Sequence, residues 1–345
     1  MTLRELFDIE LPIIQAPMAS AQGSALAIAV SNAGALGSLP CGMLSASEMR
    51  AELSAIKAAT RRPFNANFFA FPPPPPDPER DAAWRALLAP YYRELGVDPS
   101  SVPAGQGRAP FNQEAAELLA EFRPAVVSFH FGLPAPALLA RVRAIGAKII
   151  SSATTIEEAR RLEAQGVDAI IAQGLEAGGH RGSFLEFDLN SQTGTLALVP
   201  QLVRAVNVPV IAAGGIADAN GVAAAMALGA AGVQVGTAYL LCPEASTSAV
   251  LRAALKSEDS RRTVLTNIFS GRPARGMVNR LVRELGAIND RAPPYPLAAA
   301  ALAPLRAKAE SRGSGDFTLL LCGQNASGCR EIPAAELTRA LAARL

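Results

Sequence analysis

The stretch "PVIAAGGIADANGVAAAMALGAAGVQVGT", residues 209–237, has two short apolar runs on either side of an alanine-rich helical segment. Each run is followed by glycine, which predicts a tight turn at the end of a strand. A strand, a helix and a second strand in succession form the unit that joins two parallel strands of one sheet. The stretch therefore predicts an α/β fold whose parallel sheet is covered by helices on both faces.

The same alternation runs through most of the chain. Eight apolar runs are each followed by turn residues and a helical pattern; they are residues 12–17, 35–39, 64–70, 125–131, 147–153, 169–174, 209–215 and 232–240. Eight strand–helix units in succession predict a (β/α)8 barrel, the TIM barrel, and an open doubly wound sheet is the alternative.

Two segments do not fit a plain barrel. Residues 71–110 contain five consecutive prolines and then a helical pattern, which predicts a rigid loop and a short helix over the barrel mouth. Residues 245–318 are helical in pattern and show no clear strand. We therefore expect a barrel domain over residues 1–244, a helical substrate or lid domain over 245–318, and a return to the barrel with its last helix over 319–345.

The bulk composition excludes several classes of protein. The 345 residues carry 32 basic and 30 acidic side chains without a basic block, which argues against nucleic-acid binding. We predict no membrane span, because the apolar stretches are broken by glycine, proline, asparagine and aspartate. The four cysteines form no CxxC pair, which predicts a reducing, cytoplasmic setting, and no metal-ligand spacing occurs, so we expect no metal. We expect a monomer or a homodimer.

Glycines follow the last two predicted barrel strands. Gly214 and Gly215 end the seventh run, and Gly236 and Thr237 lie in the second half of the eighth. The loops after these two strands commonly bind a phosphate group in TIM barrels, and glycine lets backbone N–H groups approach an anion closely. A single phosphate site suits a mononucleotide cofactor such as FMN, whereas tight turns without a ligand are the alternative.

Residues that could contact the flat ring of such a cofactor lie at or near the ends of other predicted strands. Ala16, Pro17 and Met18 end the first run and offer a rigid bend with a soft apolar surface. Asn67 near the end of the third run and Gln173 at the end of the sixth offer amides to the polar edge of a heterocycle. Ordinary core packing is the alternative for Met18.

The chain has only two histidines, and both come at the end of an apolar run. His130 ends the fourth run. His180 follows the sixth run behind Gly178 and Gly179, which permit a sharp turn. Histidine is the side chain most often used for acid–base catalysis, so this arrangement predicts an active site, with a hydrogen-bonded turn histidine as the alternative.

Six motifs together resemble the nitronate monooxygenases, formerly called 2-nitropropane dioxygenases. The motifs are "PIIQAPMAS" (12–20), "FNANFFA" (64–70), "VSFHFGLP" (127–134), "QGLEAGGHRGSF" (173–184), the stretch 209–237 and "PPYPL" (293–297). The resemblance covers nearly the whole chain in the same order. It implies a TIM barrel with a helical second domain, non-covalent FMN, and oxidation of alkyl nitronates by dioxygen to a carbonyl compound and nitrite.

The resemblance also implies roles for individual residues. His180 matches the catalytic histidine, His130 a second pocket histidine of members that accept propionate 3-nitronate, and Tyr295 a substrate-side tyrosine. The implied flavin contacts are Ala16, Met18, Asn67, Gln173, Gly178, Gly179, Gly215, Gln234, Val235, Gly236 and Thr237. Many relatives carry a Cys-His pair where this chain has Ala70 and Phe71, so the shape of the pocket mouth is open.

Two rival functions remain at this point. FMN-dependent enoyl-ACP reductases and NADH:quinone reductases share the barrel, the Gly-Gly-His motif and the phosphate loops. A non-catalytic barrel that binds a phosphorylated ligand is the second rival. His130 and Tyr295 favour nitronate oxidation.

Overall fold

Eight parallel strands close into a barrel in the computed structural model, which describes residues 2–101 and 109–345. In chain order the strands are β1 (Ile13–Gln15), β2 (Gly37–Pro40), β3 (Phe64–Phe69), β4 (Val126–His130), β5 (Lys148–Ala153), β6 (Ala169–Gln173), β7 (Gly179–His180), β8 (Val210–Ala213), β9 (Gly232–Val235), β10 (Thr263–Thr266) and β11 (Ala274–Met277). All of these except β7, β10 and β11 belong to the barrel. The strand order is β1-β9-β8-β6-β5-β4-β3-β2, and a bridge between Ile14 and Leu36 joins the two ends.

The TIM-barrel prediction is confirmed, and each of the eight predicted runs contains a barrel strand. The last run was predicted too long. β9 ends at Val235, and Thr237–Leu241 form a 3-10 helix instead of continuing the strand.

The α-helices either lie between barrel strands and cover the barrel or belong to a separate second core. In chain order they are α1 (Leu3–Phe7), α2 (Ser24–Asn32), α3 (Ala46–Ala59), α4 (Pro78–Leu95), α5 (Gln113–Phe122), α6 (Pro136–Ala144), α7 (Ile156–Ala164), α8 (Thr195–Ala205), α9 (Ala219–Ala227), α10 (Ala249–Leu255), α11 (Arg280–Leu285), α12 (Ala298–Glu310) and α13 (Ala334–Leu341). α13 packs against α2 and α9 and so completes the ring after the insertion that precedes it. The hydroxyl groups of Tyr239 and Thr338 hydrogen-bond at 2.9 Å and tie α13 to the end of β9.

The segment 245–318 contains strands as well as helices, so the expectation of a segment without strands is wrong. β10 and β11 pair with each other and β11 pairs with β7, which gives a small antiparallel sheet. The pattern of the segment does not show this, because β7 lies almost 100 residues before β11 and supplies the pairing from the other side. The domain boundaries given above stay a prediction.

The helix predicted in the insertion after β3 is present as α4, and it packs against α12. The indole N–H of Trp84 donates to the carbonyl of Ala298 at 3.2 Å, and the hydroxyl of Tyr92 donates to the carbonyl of Ala301 at 2.7 Å. Trp84 is fully buried in a core of its own that contains residues of α4, α11 and α12. The insertion therefore belongs to the second core, and its residues 102–108 lie outside the described residues.

Within the residues that the structure describes, no helix has both the length and the apolar character needed to cross a membrane.

Candidate active site

The backbone around His180 leaves the barrel and joins the small sheet. The sequence suggested that His180 lies at the end of the sixth barrel strand, but it does not. β6 stops at Gln173, and the chain turns before β7, which contains His180. His180 then pairs with Ala274 of β11, and Gly179 pairs with Arg275. The position of the imidazole is therefore set by the pairing of β7 with β11, which joins the barrel loop to the second domain. β6 supplies only Gln173, at the start of that loop.

Two side chains hold the carbonyl of His180. The amide nitrogen of Gln173 donates to it at 2.9 Å, and Nε2 of His130 lies 3.1 Å from it. The amide oxygen of Gln173 also accepts the N–H of Gly182 at 2.7 Å. A carbonyl only accepts hydrogen bonds, so Nε2 of His130 carries the proton and Nδ1 accepts from the hydroxyl of Ser152 at 3.0 Å.

His130 is uncharged at neutral pH in this environment. Burial lowers its pKa to about 4, the positive charges of Arg272 and Arg181 act in the same direction, and the hydrogen bond to His180 opposes them. Both ring nitrogens are engaged with the protein. These hydrogen bonds favour a role for His130 in holding the backbone of His180. A direct contact between His130 and substrate stays a prediction.

Ser270 is the partner of the His180 ring. Its hydroxyl oxygen lies 2.8 Å from Nε2 of His180 and 3.2 Å from the carbonyl oxygen of Arg272. Ser270 comes from the turn before β11, 90 residues after His180 in the chain. The sequence analysis missed this residue, because only the pairing of β7 with β11 brings the turn to the imidazole.

Aromatic side chains form the wall beside His180. The ring centroids of Tyr295 and Phe131 lie 5.3 Å and 6.1 Å from that of His180, and they lie 5.3 Å from each other. Phe69 stacks on Phe131 at 5.3 Å, and Phe71 meets Tyr295 at 5.0 Å. Phe71 thus belongs to a buried aromatic cluster with Phe69, Phe131 and Tyr295. Both imidazoles border this cluster, since the ring centroid of His130 lies 4.6 Å from that of Phe131.

The loop after β1 is pinned beside the end of β9. Gln15 and Gln22 hydrogen-bond through their side-chain amides at 2.6 Å, and the N–H of Met18 donates to Gln22 at 3.0 Å. The N–H of Ala16 donates to the carbonyl of Val235 at 2.8 Å. The structure therefore brings the predicted residues 16–18 to the predicted residues 234–237, while the Val235 side chain lies in the core between strands and helices.

The end of the second domain returns across three barrel loops. The N–H of Gly323 donates to the hydroxyl of Thr237 at 3.0 Å, and the Asn325 side chain donates to the carbonyl of Gly215 at 3.0 Å. The N–H of Gln324 donates to the carbonyl of Glu176 at 2.9 Å. The loops after β6, β8 and β9 are thus tied together at the predicted phosphate site, and the sequence analysis missed Gly323 and Asn325.

Glu176 caps a helix beside this site. Its carboxylate accepts the N–H of Thr195 at 2.8 Å and the hydroxyl of Thr195 at 2.9 Å, at the start of α8. The Thr195 hydroxyl also lies 3.0 Å from the carbonyl oxygen of Gly214. Gly214 and Gly215 have φ angles of +123° and +73°, which only glycine adopts readily, so this turn depends on them.

The family model described as nitronate monooxygenase matches residues 1–343. The chain belongs to the nitronate monooxygenase family. A nitronate monooxygenase of Pseudomonas aeruginosa is 44% identical over 99% of this chain and 97% of its own length. A structure described as nitroalkane oxidase from Streptomyces ansochromogenes has a TM-score of 0.89 at 39% identity, over 99% of this chain and 97% of its own. FabK from Thermotoga maritima has a TM-score of 0.73 at 28% identity, over 100% of this chain and 96% of its own.

The nitronate monooxygenase family is a family of flavoproteins, and its members are oxidoreductases. The side-chain oxygen of Gln234 is buried and has no hydrogen-bond partner within residues 2–101 and 109–345. Asn67 uses its amide N–H groups on Ser128, which leaves its oxygen toward other donors. A Cβ on Gly236 would lie 3.3 Å from Cβ of Ala16 and 3.7 Å from Sδ of Met18. The unmatched oxygen of Gln234, close in sequence to Gly236, fits the imide N–H of a flavin, and Met18, the neighbour of Gly236, fits its flat face.

Across the part of the chain that the structure describes, no group of three His, Cys, Asp or Glu side chains is arranged to hold a metal ion.

We predict that Gly178→Ala destabilises the nitronate monooxygenase family member more than Gly179→Ala does. A Cβ on Gly178 would lie 2.6 Å from the nitrogen of Gly323, so the returning segment must move, at a cost of roughly 2–3 kcal/mol. A Cβ on Gly179 meets nothing within 4 Å, and its φ of +82° alone costs an alanine about 1 kcal/mol. Denaturant unfolding followed by circular dichroism compares the two variants, and equal losses of stability would contradict this packing.

We also predict that His130 makes stability depend on pH. Its pKa of about 4 in the folded protein lies below the ordinary 6.5, so the unfolded chain binds more protons between these values. The free energy of unfolding therefore falls as the pH falls from 6.5 to 4, by up to about 1.4 kcal/mol per unit from this group. Urea unfolding of wild type and His130→Asn across this window measures both slopes. The slope of the variant should be smaller, and identical slopes would show that His130 titrates as in the unfolded chain.

Proposed function

We propose that the protein oxidises alkyl nitronates, propionate 3-nitronate among them, with non-covalent FMN and dioxygen. The products are a carbonyl compound and nitrite, and the physiological role is detoxification. The observation that carries the proposal is the His180 imidazole, which hydrogen-bonds to Ser270 beside a buried aromatic cluster of the TIM barrel. A cytoplasmic location and a monomeric or homodimeric state belong to the same proposal.

The residues around the barrel mouth would hold FMN in three groups. Ala16, Pro17 and Met18 would lie along the ring, and the amides of Asn67 and Gln234 would meet its polar edge. The phosphate would lie at the glycine loops, which consist of Gly178, Gly179, Gly214, Gly215, Gly236 and Thr237. Gln173 supports this site through its hydrogen bonds to residues 180 and 182. When bound, FMN supplies the electron acceptor for substrate oxidation.

His180 acts on the substrate. A nitronate is already deprotonated at carbon, so the imidazole needs only to hold its oxygens by a hydrogen bond or by charge. With a neutral nitroalkane, the imidazole takes the proton from the α-carbon. The C–H bond breaks, an N–H bond forms on the ring, and the electron pair stays on the substrate as the nitronate. Tyr295 packs edge-on against the imidazole and limits the directions from which substrate can approach.

Ser270, Gln173 and His130 are positioning residues in this scheme. Ser270 fixes the ring of His180, while Gln173 and His130 fix its carbonyl. A base that is held at both its backbone and its ring loses little orientational freedom when substrate binds, which favours proton transfer.

The reductase hypothesis is not better supported. The match to FabK is weaker in both identity and TM-score than the match to the nitroalkane oxidase. A barrel that only binds a phosphorylated ligand would not need a histidine whose ring and backbone carbonyl are both held by hydrogen bonds beside an aromatic cluster. Anaerobic bleaching of the flavin by nitronate or by NADH separates the two enzymatic hypotheses.

We expect the purified protein to be yellow and to release FMN, and not FAD, into the supernatant after heat denaturation. Gly215→Asp should lower the bound flavin strongly, because it adds a negative charge at the phosphate site. Gly215→Ala is the matched control, since it shares the backbone strain at a φ of +73° and adds no charge, while its Cβ would meet Glu176 at an ordinary 3.5 Å. Flavin absorbance per protein measures the occupancy. Equal retention of flavin in the two variants would show that the phosphate of FMN does not bind at this loop.

We predict that His180→Asn lowers kcat/KM for neutral nitroethane by about 10²–10⁴-fold and affects ethyl nitronate much less, because only the neutral substrate needs a base. Ser270→Ala should lower kcat/KM for nitroethane by about tenfold and shift its pH profile, since the imidazole loses one hydrogen bond. Glu258→Ala, at a carboxylate whose side chain is 81% exposed, is the control. Oxygen consumption measures all three, and unchanged nitroethane turnover in His180→Asn would refute the base.

A further inference from the structure

Arg272 places a buried guanidinium group against the aromatic cluster that contains Phe131. The residue is only 7% exposed, and its Cζ lies 3.8 Å from the ring centroid of Phe131. On the outer side, Cζ lies 4.9 Å from the ring of Phe187, which is 59% exposed. The guanidinium therefore lies between Phe131 of the aromatic cluster and Phe187 at the surface of the protein.

The guanidinium has no carboxylate partner within the described ranges. One terminal nitrogen donates to the carbonyl of Ser183, and the buried Nε has no partner in the same part of the chain. The negative charge of Glu158 reaches Arg272, but its oxygens already accept hydrogen bonds from Thr154, Phe184 and Leu185. Burial lowers the pKa of Arg272 to about 10, so the side chain is still a cation at neutral pH.

The other two buried arginines differ from Arg272 in this respect. Arg181 donates to the carbonyls of Gln173 and Gly174 and to the side chain of Gln192. Arg275 donates to the carbonyl of Leu175 and to the hydroxyl of Thr263. Both are used to hold loops, whereas Arg272 keeps a buried donor without a partner in the described residues. A buried cation with an unmatched donor is unfavourable unless an anion meets it.

Arg272 and His180 border the same ring and the same turn. Both contact Phe131, with Cζ of Arg272 at 3.8 Å and the imidazole centroid at 6.1 Å from its centroid. The backbone carbonyl of Arg272 lies within hydrogen-bonding distance of Ser270, which contacts His180. A substrate that lies along Phe131 meets the imidazole with one end and the guanidinium with the other.

We propose that Arg272 binds the carboxylate of a nitronate that carries one, and so makes the enzyme prefer dianionic nitronates to plain alkyl nitronates. In propionate 3-nitronate a single CH2 group separates the carboxylate carbon from the nitronate carbon. The planar guanidinium suits the carboxylate, because it can donate two parallel N–H bonds to the two oxygens. The inference rests on the proposed function and adds the residue that selects the substrate.

Succinate is the probe for this site, because it has the same chain length with a carboxylate in place of the nitronate. Butyrate is the matched probe with one charge fewer. We expect calorimetric titration of the purified holoenzyme to give tighter binding of succinate than of butyrate. Arg272→Met should weaken succinate by about 10- to 100-fold and butyrate by less than about threefold. Arg262→Met removes the same charge from an exposed position and should leave both affinities unchanged.

Steady-state kinetics give the second readout. Arg272→Met should raise KM for propionate 3-nitronate by a similar factor with a smaller change in kcat, and leave ethyl nitronate nearly unaffected. Arg272→Lys keeps the charge without the paired donors and should lie between the variant and wild type. The lysine variant carries the test if the methionine variant does not fold.

Three results overturn the inference. Wild type that binds succinate and butyrate equally has no carboxylate site, and equal loss of both probes in Arg272→Met shows a packing role. Loss of ethyl nitronate turnover as large as that of propionate 3-nitronate shows that Arg272 acts only through Ser270 and His180. If no nitronate is turned over but succinate binding still depends on Arg272, the proposed function fails while the anion site stands.

Discussion

The carbonyl oxygen of His180 accepts hydrogen bonds from two side chains that end two different barrel strands. Gln173 at the end of β6 and His130 at the end of β4 both donate to it. This oxygen fixes the backbone of His180 relative to the barrel, while the pairing of β7 with β11 fixes it relative to the second domain. If it moved, the imidazole would lose its relation both to the glycine loops and to Ser270. The candidate active site is therefore built at the seam between two separately packed cores, and the His180 carbonyl is one of several contacts at this seam.

Three arginines and two carboxylates, those of Glu158 and Glu176, interact electrostatically around this seam. Arg181, Arg272 and Arg275 are all buried near the pocket, and the described part of the chain gives none of them a salt bridge. Burial and the positive charges of Arg272 and Arg181 lower the pKa of His130 and keep it neutral, which is the form its hydrogen bonds require. The same field attracts anions, and nitronates are anions. Buried cations without a carboxylate partner are unfavourable for folding alone, which makes this region a candidate anion site.

The sequence predicted the barrel well because the barrel signal is local. Each strand is a short apolar run, followed by a turn residue and a helical pattern, and no distant residue is needed to see it. The glycine loops were found for the same reason, since their positions relative to β8 and β9 follow from the fold. The small sheet was not found, because β11 becomes a strand only where β7 lies beside it. The role expected for His130 as a substrate contact depends on where its ring nitrogens point, which the sequence does not show.

The amino-acid sequence by itself determined the fold class, the eight strand positions and the pair of histidines, because these depend on local patterns and on residue identity. Motif order also identified the family that the comparisons established. Only the tertiary structure decided that Ser270 meets the imidazole, that Gly323 and Asn325 tie the loops together, and that Arg272 is buried without a carboxylate partner in the described residues. These residues lie about 90 or more positions from their partners. Their contacts arise because the second domain folds back onto the barrel mouth, and no local pattern records such a contact.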